Sequence, residues 1–147
     1  MMKIRALLLA GLFALGACAA TQQRLLTYNS GWPDADVYVG GDRYQVWFHE
    51  TDQTVLVQRG EPRPLGQLAA ENLTVYGQDR SPNALWWGAA ANAVLQPIGC
   101  YGEVLNGEGA IREITYTCPQ PVDVAAAVAA NRETWRRGVR VPAPAAD

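Results

Sequence analysis

Few residues in this 147-residue chain are equipped for chemistry. His49, the one histidine, is followed by Glu50 and then Asp52, offering a base with carboxylates close by in sequence. Common hydrolases need a nucleophile beside such a base. Past the first eighteen residues the only serines are Ser30, in a turn-rich stretch, and Ser81, placed to cap a helix. Adjacent strand residues point to opposite faces, so Glu50 is badly placed to orient His49, which reads as an ordinary strand-end histidine. Acid pairs such as Glu103 with Glu113, or Glu50 with Asp52, are what a glycoside hydrolase uses, but any solvated sheet face carries such pairs and nothing in the sequence signals a cleft. Two groups suit binding instead. Trp86 and Trp87, with Trp47 on the more polar side of its strand, either pack a core or form a platform for a glycan, a lipid or another protein. Arg132, Arg136 and Arg137, with Arg140, are the only concentration of positive charge, and either balance a helix dipole or contact anionic headgroups, lipopolysaccharide or an acidic partner.

The chain's beginning is of a different character. Lys3 and Arg5 precede an uncharged apolar run, Ala6 to Leu15, the pattern of a secretory signal peptide. Even counted to Ala20 this run falls short of the roughly 20 residues of a membrane-crossing helix. It ends in Leu15-Gly16-Ala17-Cys18, which resembles the lipobox of bacterial lipoproteins. The resemblance implies diacylglyceryl attachment at Cys18, cleavage just before it and acylation of the new amino terminus. Several acyl chains make such anchoring stable, at about 0.8 kcal/mol per buried methylene. The implied address is the cell envelope, with Ala19 rather than Asp after the cysteine favouring the outer membrane, facing the periplasm. Removing residues 1–17 takes Lys3 and Arg5 from the 12 basic side chains and none from the 14 acidic ones, leaving 10 against 14 and a formal charge of −4. That balance argues against a general nucleic-acid binder. The remaining chain has no lysine, which excludes a Schiff-base mechanism.

Cys18 aside, the cysteines are Cys100 and Cys118. In an oxidising compartment the pair reads as a disulfide. Two sulfurs and one imidazole fall short of a four-ligand zinc site, and no cofactor or metal is expected.

The elements that must position these residues divide as follows. Residues 18–34, the lipidated cysteine and a polar, turn-rich stretch, read as a tether. A single domain then spans 35–141, and the Pro/Ala tail 142–147 has little to pack and is expected to be disordered. Val37 to Val39, Arg43 to Glu50 and Thr54 to Arg59 form a three-stranded antiparallel meander, with Tyr44, Val46 and Phe48 on one face and Gln45, Trp47 and His49 on the other. Residues 61–80 are ambiguous between a helical turn and a short strand. Ser81-Pro82 starts a helix that runs to about Leu95, apolar nearly all the way round. Cys100 to Leu105 and Ile111 to Cys118 are a hairpin. A tight turn at Asn106-Gly107 would put the two cysteines roughly 17 Å apart along the strand, too far for a bridge. Pairing Cys100 with Cys118 instead sets Gly102 opposite Tyr116, Val104 opposite Ile114 and Glu103 opposite Thr115. A last helix runs from Pro121 to Arg137. The fold expected is thus α+β, a small antiparallel sheet (three-stranded meander plus disulfide-linked hairpin) packed by two helices. The succession of an apolar helix, Cys100-Tyr101-Gly102 and Tyr116-Thr117-Cys118 is similar to small bacterial lipoproteins that are themselves uncharacterised, and implies no activity. The function expected is a non-enzymatic, membrane-anchored binding or accessory module whose partner is another envelope protein or an anionic envelope component. The alternative is an envelope hydrolase using acids on the outer sheet face.

Overall fold

Residues 24–29, 31–71, 84–106 and 111–145 are described by the structure, a computed structural model of the chain. The signal peptide, Cys18, Ser81-Pro82 and the loop at 107–110 lie outside them. β1 (Ala35–Val39), β2 (Asp42–Phe48) and β3 (Thr54–Arg59) form the antiparallel meander. β4 (Tyr101–Asn106) and β5 (Ile111–Thr117) form the hairpin, and β5 pairs antiparallel with β3, so meander and hairpin are one sheet. The expected fold is incomplete in one respect. A sixth strand, β6 (Val139–Val141), pairs parallel with β1, giving a mixed sheet of order β4-β5-β3-β2-β1-β6. Three residues are too few to show a strand period, and β6 owes its conformation to the open edge of β1.

Three helices are described: α1 (Leu65–Glu71), within the stretch that was ambiguous in sequence, α2 (Leu85–Leu95) and α3 (Val124–Arg136). Trp87, Ala90, Ala91, Val94 and Leu95 recur at helical spacing and bury one side of α2 against the sheet. A 3₁₀ turn at Gln96–Ile98 ends it, and Gly99, at φ 82°, supplies the left-handed residue that sends the chain into β4. α3 starts later than expected. Asp123 lies before its first turn as the N-cap, accepting from the Ala126 amide at 3.0 Å. Val128 and Trp135 are its buried stripe, and Trp135 stacks on Phe48 with ring centres 5.9 Å apart.

The inner sheet face carries Val37, Tyr44, Val46, Phe48, Val55, Val57, Ile114 and Tyr116 against α2 and α3. The outer face is buried as well. Leu25, Tyr28, Leu65 and Leu68 cover Trp47 and Leu56. The tether expected over 18–34 is therefore corrected: from Arg24 onward it belongs to the folded body, because Leu25 and Tyr28 complete this second core. Within the tail, Ala143 lies close against Gly40.

Cys100 and Cys118 are bridged. Gly102 pairs with Tyr116 as the bridge requires, but a bulge between Gly102 and Val104 shifts the rest, pairing Val104 with Thr115 and Leu105 with Ile114. Glu103 is thus not opposite Thr115. The Asn92 side chain accepts from the Gly102 amide at 2.8 Å, tying the strand to α2 beside the bulge.

Candidate functional site

A cleft of about 480 Å³ opens where Asn29, Gly31, Trp32 and Asp34, the β2–β3 turn and α3 meet. Phe48, Tyr116 and Val128, which belong to the inner core, line it together with His49, Glu50, Asp52, Asp34, Arg132, Arg136 and Trp32. The sequence elements that meet here are far apart in the chain, so no single motif announces the site.

The turn holds His49 firmly. Its Nδ1 accepts from the amides of Thr51 (3.2 Å) and Asp52 (3.0 Å), which assigns the ring proton to Nε2, and Nε2 donates to the Thr27 hydroxyl at 2.9 Å. Tyr28 packs edge-on to the ring at 4.7 Å. Both ring nitrogens are therefore engaged in holding the turn and residues 24–29 together, and neither meets Glu50, which is exposed.

Arg24 is the hub beneath the turn. Its guanidinium donates to Glu113 (2.8 Å), Asp52 (2.8 Å) and Thr54 (3.2 Å). The Tyr28 hydroxyl donates to the same Glu113 oxygen at 2.5 Å and lies 2.8 Å from the Thr54 hydroxyl. Burial, reinforced by Glu113, pushes the Tyr28 phenol far above its usual range, while the hydrogen bond from Arg24 lowers the Asp52 carboxyl. Glu113, one of the acids named from sequence, is accordingly the anchor of an ionic cluster that fastens the N-terminal residues to the sheet.

The arginines of α3 make contacts of their own. Arg132 Nε donates to Asp34 at 2.7 Å, and the other Asp34 oxygen accepts from the Phe48 amide at 2.9 Å. Arg136 Nε donates to the Pro33 carbonyl at 2.7 Å, with a longer contact to the Trp32 carbonyl. These two side chains staple residues 32–34 onto α3, and Arg136 stays exposed where it lines the cleft. Arg137 is exposed and reaches Thr134, and the Arg140 guanidinium lies 4.6 Å over the Tyr38 ring. The tryptophan platform is corrected. Trp47 and Trp87 are fully buried, Trp47 donating to the Gly31 carbonyl at 3.1 Å, and Trp86 is half-buried against the core and close to Gly40. Of the tryptophans described, Trp32 is the exposed one, at 57 %. Its presence in a stretch otherwise polar was the available signal.

Among the described residues no group of three or more His, Cys, Asp or Glu is placed to hold a metal ion, and no helix is long and apolar enough to cross a membrane. Comparisons with protein families, curated proteins and solved structures found no match to this chain.

Proposed function

We propose that the mature protein is a lipid-anchored component of the bacterial cell envelope, held through Cys18, whose body is a non-enzymatic binding module with its ligand seated in the cleft. The observation that carries the binding reading is the division of labour in that cleft. His49, Asp34, Asp52 and Arg132 are consumed by intramolecular hydrogen bonds, whereas the Trp32 ring remains exposed at the edge of an apolar floor. Concave sites of this size with an apolar lining and a few polar groups are where proteins take ligands. Glu113, bound by Arg24 and Tyr28 beneath the N-terminal residues, speaks for the binding module over a hydrolase acting on the outer sheet face.

A photo-activatable amino acid in place of Trp32 tests the reading in intact cells. A discrete adduct with an envelope component is expected, and it should weaken when Ala125→Phe, at an exposed position of the lining, fills the cleft over its floor. No adduct at position 32, or one indifferent to that filling, would overturn it. The anchor is tested separately: acyl labelling should mark the wild type, and Cys18→Ser should abolish both the label and membrane retention.

A further inference from the structure

We infer that residues 24–29 and 31–34 form the protein's membrane-facing surface, with Leu26 and Trp32 seated at the headgroup level of the bilayer that holds the anchor. This rests on the assignment of Cys18 as the lipidated residue. Six residues lead from Cys18 to Arg24, and an extended chain spans at most about 3.6 Å per residue, so Arg24 lies within roughly 20 Å of the acylated cysteine whatever path the backbone takes. Arg24 is in turn fixed to the sheet through Asp52 and Glu113. The body is thus held close by the side that carries Arg24 and, across the cleft that Asp52 and Trp32 share, Trp32.

That side suits the contact. The two most exposed large apolar side chains among the described residues are Leu26, at 71 %, and Trp32, at 57 %, both from this one segment. Leu26 sits in a turn closed by the Thr27 amide on the Arg24 carbonyl, with Leu25 and Tyr28 on either side of it buried, so its own side chain is turned outward. The Arg136 staple fixes the backbone that carries Trp32, and tryptophan favours the headgroup level, where its ring is half apolar and half wet. From Leu25 to Pro33 the sequence carries no charged side chain. In a mature chain of net charge −4, an uncharged stretch is the one that approaches anionic lipid with least repulsion.

The test uses the full lipidated protein in vesicles of phosphatidylethanolamine and phosphatidylglycerol. With Cys18 acylated and Cys100 bridged to Cys118, a Leu26→Cys variant has one free thiol for a polarity-sensitive fluorophore, and Ala84→Cys, exposed at the start of α2, is the control; circular dichroism should match the wild type for both. Blue-shifted emission and quenching by doxyl-labelled lipid are expected at position 26 and not at 84. If acyl label is present and position 26 remains as unquenched as 84, the surface assignment is overturned while the anchor stands. If acyl label is absent, the anchor fails and the surface assignment falls with it.

Discussion

At the scale of single residues, burial dominates the behaviour of three of the six tyrosines. The phenols of Tyr28, Tyr44 and Tyr116 are all raised, Tyr44 to about 12 and Tyr28 further still. A phenol whose folded pKa exceeds its unfolded value of about 10 contributes fully to stability below pH 10 and loses that contribution as pH rises through the folded value, because the unfolded chain ionises first. Phenolate absorbance should therefore rise in two stages under alkaline titration, the second coinciding with loss of the far-ultraviolet dichroism signal. A single stage near pH 10 with the fold intact would contradict these burials. Asp52 acts in the opposite direction. Its folded pKa lies below the unfolded one, so its contribution is present above the unfolded value and disappears as pH falls through the folded value, and Asp52→Asn should flatten the acid limb of the stability curve. Tyr28→Phe removes a buried donor to the Glu113 carboxylate and should cost about 1.5–3 kcal/mol in urea unfolding.

At the scale of elements, the second hairpin depends on the bridge that closes it. Replacing Cys100 and Cys118 together by serine should cost about 3 kcal/mol on chain-entropy grounds, read from the urea midpoint, and thiol titration of the unfolded, unreduced wild-type protein should detect no free cysteine. Gly102→Ala would set a Cβ 2.8 Å from the Ile114 side chain, for a further expected loss of about 1–3 kcal/mol. Much of this hairpin was legible: the cysteine spacing named the Gly102–Tyr116 pair directly, since a bridge tolerates little offset between strands. The bulge at Glu103 was not legible, because it is set by α2 through Asn92, a contact made across ten residues and after a change of element. The meander strands were legible from their alternation, but the cover over Trp47 was not. A polar stretch containing Leu25 and Tyr28 has no period of its own, and only a sheet face offering Leu56 and Trp47 gives those two side chains a place. The cleft escaped sequence for a related reason. Arg132 and Arg136 read in sequence as charge at a helix end; that residues 32–34 lie along the helix, where Asp34 and two carbonyls engage them, follows only from the fold.

At the scale of the whole molecule, the folded body includes Arg24, Leu25 and Tyr28 and does not begin at Ala35. A soluble form started at Ala35 loses Leu25, Tyr28 and the Arg24 cluster and leaves Trp47 covered only by Leu65 and Leu68, whereas one started at Ala19 keeps them all. The first should unfold at markedly lower urea than the second, and Leu25→Ala alone should account for about 2–4 kcal/mol of that difference. The parallel pairing of β6 with β1 has its own consequence, in the order of events during synthesis. Val37 and Val139 are partners about a hundred residues apart, so one edge of the meander waits for residues made that much later before it is covered. A nascent chain delivered amino end first therefore carries an open strand edge until β6 emerges, the feature that invites pairing with a neighbouring chain. Stopping the chain at Gly138 makes that interval permanent, and the shortened product should be recovered chiefly as aggregate, with the finished strand acting as the latch that ends the vulnerable period.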